Sequence, residues 1–175
     1  MAGTIWHCHI AVSLDGKIAR PNGSVDWLEK YPPEEFGFEA FMASVDAILM
    51  GRDTYEVVRG LGDWPYAGKP TIVMTNRGLT DSPDGVEVRS GEISRMAAEL
   101  EARGYRRVWI EGGGQVIQSM IVARKLDVLE MAVIPVVLGE GIPLIRPGTP
   151  ELELNLVSSA ARAGGALHVI YEVAR

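Results

Sequence analysis

Residues 108–121 read Val-Trp-Ile-Glu-Gly-Gly-Gly-Gln-Val-Ile-Gln-Ser-Met-Ile and join a β-prone apolar run to three glycines and then to apolar residues at helical spacing. This order predicts a strand, a glycine turn and a helix. The glycines Gly112, Gly113 and Gly114 let backbone amides approach a ligand closely, and the start of the helix offers unpaired N–H groups to an anion. We interpret the turn as a candidate phosphate or pyrophosphate site. A tight connection that binds no ligand is the alternative.

The elements on either side of this stretch predict a mixed sheet. Before it, strands over 4–12, 47–50, 71–75 and 86–89 alternate with helices that begin near residue 32, after Gly51 and at residue 92. After it, strands alone follow, over 128–137 and in a hairpin of 151–162 and 166–173 around two glycines. We therefore expect an α/β fold with parallel crossovers first and an antiparallel hairpin at the C-terminal end.

Composition restricts the classes of function. The chain has 175 residues, 47% of them hydrophobic and 23% charged, with a formal net charge of −6, which is ordinary for one globular domain over residues 1–175. The absence of a lysine or arginine block argues against a broad nucleic-acid or membrane surface. A single cysteine, Cys8, allows no intramolecular disulfide, and no apolar run approaches the roughly 20 residues of a membrane span. Without a signal-like start, a cytoplasmic location is expected.

Two familiar nucleotide motifs do not fit the glycine turn. The Rossmann pattern G-x-G-x-x-G would need a glycine where Ile117 stands, and a Walker A loop would need a Gly-Lys-Ser/Thr sequence after the glycines. The first predicted strand carries His7 and His9 on one face, but the sequence offers no third metal ligand nearby, so we interpret them as hydrogen-bonded side chains and expect no metal site. We assign Cys8 to the core rather than to a nucleophile.

Three loops at strand ends carry polar groups suited to a ligand. The long loop 13–26 contains Asp15, Lys17 and Asp26. Arg52 follows the second strand and Arg77 the third, and an arginine at such a junction is well placed to pair with a phosphate. The alternative for each charge is a solvated loop side chain, and for Asp53 and Thr54 a helix cap.

Four motifs in this order resemble the dihydrofolate reductase-like superfamily, and most closely the C-terminal reductase domain of the RibD type from riboflavin biosynthesis and its stand-alone relatives. They are Ser13-Leu-Asp-Gly-Lys-Ile-Ala19, Met50-Gly-Arg-Asp-Thr-Tyr55, Thr75-Asn-Arg77 and Ile110-Glu-Gly-Gly-Gly-Gln115. The resemblance implies a three-layer α/β/α fold whose mixed, mostly parallel central sheet ends in an antiparallel hairpin.

The resemblance also implies NADPH as the hydride donor. By similarity, the cofactor phosphates would lie along Gly51, Arg52 and Thr54, and the pyrophosphate on the glycine turn. The residues implied to hold the pyrophosphate are Gly112, Gly113, Gly114, Gln115 and Val116. Around the 2′-phosphate and adenosine would lie Thr75, Asn76 and Arg77, and the nicotinamide would be bordered by Ala11 and Leu14.

The implied activity is reduction of a pyrimidine- or pterin-like heterocycle, most closely that of 5-amino-6-(5-phosphoribosylamino)uracil. Glu111, directly before the glycines, matches the riboflavin-type pattern, and so does the run 136–145. Where the riboflavin enzymes often show Asp-Asp-Pro, this chain has Gly62-Asp-Trp-Pro65. The alternatives are a dihydrofolate reductase-type activity and a non-catalytic NADP-binding module. The zinc-deaminase signature is absent, which excludes a bifunctional deaminase-reductase.

A reductase of this kind needs a group that delivers a proton, and a carboxyl with a raised pKa is the usual one. The carboxylates available on the predicted ligand loops are Asp15, Asp26, Asp63 and Glu111. The family comparison favours Asp63 and Glu111, and Lys17 is a candidate partner for a substrate phosphate. The riboflavin-type relatives are commonly dimers, so we expect a homodimer, with the apolar run 128–137 as a possible interface.

Overall fold

The computed structural model describes residues 3–175, which form two sheets and four α-helices. The strands are β1 (Ile5–Ser13), β2 (Lys17–Ala19), β3 (Ala47–Gly51), β4 (Thr71–Met74), β5 (Val86–Arg89), β6 (Arg107–Gly112), β7 (Val128–Ile134), β8 (Ile142–Pro143), β9 (Leu154–Ala161) and β10 (Leu167–Val173). The helices are α1 (Phe38–Ser44), α2 (Arg52–Gly60), α3 (Ile93–Ala102) and α4 (Gly114–Val122). Short 3-10 helices span Asp26–Leu28, Pro33–Phe36 and Ala163–Gly165.

The main sheet has eight strands in the order β5-β4-β3-β6-β1-β7-β10-β9. The strands from β5 to β7 in that order are parallel to their neighbours, whereas β10 runs antiparallel to both β7 and β9. The predicted mixed, mostly parallel sheet with an antiparallel hairpin at its end is thus confirmed.

Helices cover both faces of this sheet. On one face Trp6 and Cys8 of β1 pack with Leu100 of α3 and Met120 of α4. On the other face, Phe41 of α1 and Tyr55 of α2 pack on Ile48, Met50 and Trp109. Alternation along each strand sends neighbouring side chains to opposite faces, so both helical layers bury apolar surface and the fold has three layers. Within residues 3–175, no helix is long and apolar enough to cross a membrane.

Two predicted elements are shorter than expected. The helix expected from residue 32 is split, because Gly37 adopts a left-handed conformation (φ 68°) between the 3-10 helix and α1. The strand expected over 128–137 ends at Ile134, directly before Pro135, which has no N–H to donate. Because β7 lies between β1 and β10, both of its edges are paired and it offers no free edge for a dimer. The homodimer itself stays a prediction.

The predicted loop after β1 contains a strand. β2 pairs antiparallel with β8 in a separate two-stranded sheet, which joins the chain after β1 to the chain after β7. A Cβ added to Gly141 would collide with the carbonyl oxygen of Ala19, so the two segments approach at a position that requires glycine. Leu144 N–H also donates to Gly16 O at 2.9 Å.

Candidate functional site

A cavity of about 1780 Å³ opens at the carboxyl ends of the parallel strands. Its lining comes from the segments that follow β3, β4, β5 and β6, and from residues between 18 and 38. The C-terminal halves of β1 and β7 also contribute, through residues 9–11, Ala132 and Ile134. A crevice outside the carboxyl ends of parallel strands is the usual ligand position in open α/β sheets. Of the predicted site residues, it brings together Ala11, Gly51, Arg52, Thr54, Thr75, Asn76, Arg77, Glu111, Gly113, Gly114, Gln115 and Val116.

The glycine turn forms one wall of the cavity. Gly112 has φ 129° and is joined to Gly113 by a cis peptide bond, and α4 begins at Gly114 with no side chain capping it. A Cβ on Gly114 would lie 2.7 Å from Pro143 O, so no other residue fits there without a shift of backbone. The uncapped N–H groups of the first turn of α4 therefore face a space that an anion could fill.

The start of α2 forms the adjoining wall. Gly51 is its N-cap residue and no side chain caps it, so the alternative assignment of Asp53 or Thr54 as a cap is wrong. Arg52 Nη1 donates to Gly78 O at 3.1 Å and to Arg77 O at 3.5 Å, and its Nη2 lies 3.3 Å from Glu56. Arg52 thus fastens α2 to the loop after β4.

Arg77 is the free cation of that loop. Its backbone N–H donates to Thr75 Oγ1 at 3.2 Å, and among residues 3–175 its guanidinium has no hydrogen bond or ion pair. The side chain is exposed at the cavity, beside Thr75 and Asn76. A planar, permanently charged donor group in this position suits a phosphate.

A third arginine at the cavity was missed by sequence reasoning. The Cγ and Cδ atoms of Arg146 would lie 3.4 Å and 3.5 Å from a Cβ on Gly114, so its side chain crosses the start of α4. The residue is exposed, lines the cavity and belongs to the loop after β8. No sequence motif includes Arg146, because only folding brings this loop against the glycine turn.

Glu111 lies between the glycine turn and the aromatic side chains of Tyr66 and Trp109. Its Oε1 accepts a 2.6 Å hydrogen bond from the Tyr66 hydroxyl, while its Oε2 is buried without a partner among residues 3–175. Tyr66 packs edge-on against Trp109, with ring centroids 5.6 Å apart. Burial raises the pKa of Glu111 to about 7, and the hydrogen bond from Tyr66 opposes that rise. The carboxyl can therefore hold a proton near neutral pH.

The other proposed proton donors and Lys17 do not line the cavity, and neither do Leu14 and Gly112. Asp26 pairs with Arg20 at 2.5 Å on the surface, and Asp63 is exposed. Lys17 belongs to β2. Leu14 is 67% exposed and Gly112 is buried behind the turn.

Asp15 has a structural role that its position in the sequence did not reveal. Its carboxylate accepts hydrogen bonds from Ser13 Oγ at 2.7 Å and from the backbone N–H groups of Leu138 at 3.0 Å and Gly139 at 2.8 Å. The Leu138 N–H and the Ser13 hydroxyl lower the pKa of Asp15 to about 2. Asp15 therefore holds the loop after β1 to the loop after β7.

The histidines of β1 belong to a buried cluster around Glu130. His7 Nε2 and His168 Nε2 each lie 2.7 Å from a carboxylate oxygen of Glu130, and His9 Nε2 lies 3.3 Å from it. The partners Glu130 and His168 come from β7 and β10, which the sequence could not place beside His7. Burial acts to raise the pKa of Glu130, but hydrogen bonds from the three histidines lower it overall.

Two arginines decide which ring nitrogens of this cluster carry protons. Arg107 Nη1 lies 2.6 Å from His7 Nδ1, and Arg162 Nη2 lies 3.1 Å from His168 Nδ1. Because a guanidinium can only donate, both Nδ1 atoms accept, and each Nε2 keeps its proton and donates to Glu130. His9, Glu130 and His168 also converge closely enough to hold a metal ion, a grouping that the spacing of His7 and His9 did not predict. The cluster stabilises a buried anion.

The chain resembles known proteins over nearly its whole length. The sequence profile of the RibD C-terminal domain matches residues 6–167. The uncharacterized protein YwjB of Bacillus subtilis (strain 168) is 36% identical over 150 residues, which cover 85% of this chain and 86% of that protein. A putative riboflavin biosynthesis protein from Shewanella sp. PV-4 has 33% identity and a TM-score of 0.87, covering 98% of this chain and 100% of the other.

The fold also matches a dihydrofolate reductase. The enzyme from Enterococcus faecalis, solved in complex with NADP(H), has a TM-score of 0.70 and 19% identity, covering 98% of this chain and 97% of that one. The resemblance indicated by the four sequence motifs is thereby confirmed.

Proposed function

The chain belongs to the RibD C-terminal domain family, and on that premise we propose that its 175 residues work as one NADPH-dependent reductase domain for a pyrimidine- or pterin-like heterocycle. Family membership favours the reduction of a 5-amino-6-ribosylaminouracil of the riboflavin pathway, with the 5-phosphoribosylamino compound as the reference substrate. Dihydrofolate is the second substrate to test, because the fold is shared with a dihydrofolate reductase.

Cofactor binding is supported by the charges and the uncapped helix starts at the cavity. In this proposal Arg77, with Thr75 and Asn76, holds the 2′-phosphate, and the first turn of α4 with Arg146 holds the pyrophosphate. Arg52 supports the 2′-phosphate site by fixing the loop that carries Arg77. Ala11 is the residue of β1 that lines the cavity where the nicotinamide would lie.

The chemistry needs a hydride and a proton. NADPH, when bound, would supply the hydride that reduces one double bond of the substrate, and the cofactor would be released as NADP⁺. Glu111 supplies the proton in our proposal, because a carboxyl with a pKa near 7 is protonated in part of the molecules at neutral pH and still acidic enough to transfer the proton. The carboxylate formed on transfer keeps its hydrogen bond from Tyr66 and regains a proton from solvent.

The single observation that carries this function is the position of Glu111: a half-buried carboxyl that lines the cavity and has one unpartnered buried oxygen, one residue before the glycine turn. Such a group is expected where it meets a substrate rather than other protein atoms. A purely structural role leaves Oε2 without an explanation.

The test is NADPH oxidation by the purified protein, followed by nicotinamide absorbance, with the ribosylaminopyrimidine and then with dihydrofolate. The proposal expects oxidation that depends on both protein and substrate. Tight NADPH binding without oxidation by any heterocycle of these two classes would instead identify a non-catalytic NADP-binding module.

A further inference from the structure

We propose that the substrate end of the cavity accepts a flat heterocycle without a phosphate, so that the preferred ribosylaminopyrimidine is the dephosphorylated one. This inference rests on the proposed function and concerns the same cavity. It departs from the phosphorylated substrate that family membership alone would suggest.

The strand order divides the cavity into two ends. Segments after β3, β4 and β5 lie on one side of β6, whereas β1 and β7 lie on its other side. The first end holds the arginines and helix starts described above for the cofactor. The second end is lined by His9 of β1, by Ala132 and Ile134 of β7, and by residues of the segment 28–38, which packs over β7 through Phe36. Glu111, on β6, stands between the two ends.

Charges are distributed unevenly between these ends. Among residues 3–175, the arginines and lysines that line the cavity are Arg52 and Arg77, which follow β3 and β4, and Arg146, whose side chain lies against Gly114 at the start of α4. The substrate end has two exposed carboxylates, Glu29 and Glu34, and no lysine or arginine in its lining. A phosphate there would meet two negative charges with no cation to pair with.

The arginines near the substrate end are directed toward other side chains. Arg20 is paired with Asp26, and the guanidinium groups of Arg107 and Arg162 face His7 and His168. Lys30 belongs to the segment 28–38 and Lys17 to β2, but neither residue is part of the cavity lining. Lys17, which the sequence suggested as the partner of a substrate phosphate, is therefore not placed to act as one.

The rest of the substrate end suits a flat ring that carries amino groups. Tyr31, Phe36, Phe38 and Trp109 supply aromatic surface, and stacking on such surfaces does not require charge. The unpartnered Oε2 of Glu111 is an acceptor for a ring N–H or amino group. Shape and hydrogen bonding thus favour the heterocycle, and the charges disfavour a phosphate attached to it.

The decisive experiment compares 5-amino-6-ribosylaminouracil with its 5-phosphate on the NADPH-loaded protein. We expect kcat/KM for the phosphate-free compound to be higher by about tenfold or more, a difference of about 1.4 kcal/mol. Added salt should narrow this difference, because the glutamates are exposed and screened. An equal or higher kcat/KM for the phosphorylated compound would overturn the inference while leaving the proposed reductase intact.

A matched pair of variants locates the effect. Glu34→Lys places a cation in the lining, whereas Glu35→Lys changes the net charge equally on an exposed residue of the same 3-10 helix that does not line the cavity. Glu34→Lys should shift the preference severalfold toward the phosphorylated compound, and Glu35→Lys should not. Equal shifts would refute the local origin of the selectivity.

Failure of the function itself would look different. If neither compound oxidises NADPH, the proposed reduction is wrong for this substrate class, and calorimetric binding of the two compounds to the NADPH-loaded protein then decides the inference. Tighter binding of the phosphate-free compound supports it, and binding of the phosphorylated compound that is as tight or tighter, or no binding of either, contradicts it.

Discussion

The hydroxyl of Tyr66 lies 2.6 Å from Oε1 of Glu111, and this hydrogen bond opposes the effect of burial on the carboxyl. Burial disfavours the charged form and raises the pKa, whereas a donor to the carboxylate favours that form and lowers it. The pKa of about 7 is the outcome of these two effects. The pair therefore sets the pH range in which Glu111 can supply a proton.

Removing the donor should shift the pH dependence of the reaction. In Tyr66→Phe the carboxylate loses its hydrogen bond, so we expect the pKa of Glu111 to rise and the fall of kcat/KM at alkaline pH to move upward by up to about one unit. Rate profiles between pH 5 and 9 measure this, with Tyr171→Phe, which is outside the cavity lining, as the control. A profile that stays in place or moves downward would contradict the role of Tyr66.

Replacing the carboxyl should reduce activity and increase stability. Glu111→Gln removes the proton donor, and kcat should fall by about 10²–10³-fold. The folded-state pKa of Glu111 exceeds its ordinary value of 4.5, so its stabilising contribution is complete below about pH 4.5, is lost as pH rises from there to about 7, and changes no further above that. At pH 8 the free energy of unfolding of the variant should therefore exceed that of the wild type by up to about 3 kcal/mol, and the difference should be smaller at pH 5. Chemical denaturation at the two pH values measures it.

The comparison for this variant is Glu35→Gln, a change of the same kind at an exposed residue, which should alter neither property. A loss of both activity and stability at pH 8 in Glu111→Gln would indicate that the ionised carboxyl stabilises the fold, and would refute the predicted penalty.

The exposed guanidinium of Arg77 should distinguish NADPH from NADH. Arg77→Ala removes a charge-assisted contact to the 2′-phosphate, and we expect the Kd of NADPH to rise about 10- to 100-fold with little change for NADH. Arg59→Ala serves as the control, because Arg59 donates to Asp81 O at 3.3 Å and does not line the cavity. Equal weakening of both nucleotides by Arg77→Ala would place that arginine elsewhere on the cofactor.

The close approach at Gly114 should make alanine costly there. Gly114→Ala puts a Cβ 2.7 Å from Pro143 O, so the loop after β8 must move, and we expect a loss of about 1–3 kcal/mol of unfolding free energy together with weaker NADPH binding. Gly60→Ala, at the end of α2 with nothing within 4 Å of the added Cβ, should be neutral or slightly stabilising. Chemical denaturation of the two variants measures the contrast, and similar stabilities would refute it.

The cluster around Glu130 should control stability in acid. The pKa of Glu130 is lowered in the fold, so its contribution is present above its ordinary value of 4.5 and is lost as pH falls below it. The pKa of His7 is also lowered, chiefly by burial, so protonation of His7 below about pH 6.5 destabilises the fold in the same direction. The contribution of this cluster to stability should therefore decline from about pH 6.5 downward, whereas protonation of Glu111 acts in the opposite direction between about pH 7 and 4.5.

Glu130→Gln tests this control. Its amide would place an NH₂ group against an Nε2–H donor, and we expect a loss of about 3 kcal/mol at pH 7. The decline of stability below pH 4.5 should be smaller than in the wild type. Urea denaturation from pH 3.5 to 7 measures both effects, with the exposed Glu172→Gln as the reference. An unchanged acid decline would mean that other carboxyls cause it.

Local patterns in the sequence predicted the helices and strands well, but they could not predict contacts between segments that are distant in the chain. Residues 108–121 contain both the alternation and the glycines that specify a strand, a turn and a helix, and all three form as expected. The spacing of His7 and His9 placed them on one face, but their partner Glu130 depends on the order of the strands. Arg146 meets the glycine turn for the same reason.

The candidate proton donors show the same division. Asp15 and Asp26 both lie in a polar loop after a strand, as expected for ligand-binding residues. In the structure, however, Asp15 accepts a hydrogen bond from Ser13 and Asp26 forms an ion pair with Arg20. Glu111 differed from them in lying at the end of a buried strand, and no local pattern indicated that Tyr66 would reach it.

The hydrogen bonds from Leu138 and Gly139 to Asp15, together with the pairing of β2 and β8, have a consequence for changing the specificity of this protein by design. A loop grafted from a relative at residues 13–19 alone would lose its partners at 138–146, and the reverse graft would fail in the same way. The two loops form one exchangeable unit, so transplanting both together is the route by which a new specificity can be introduced without loss of the fold.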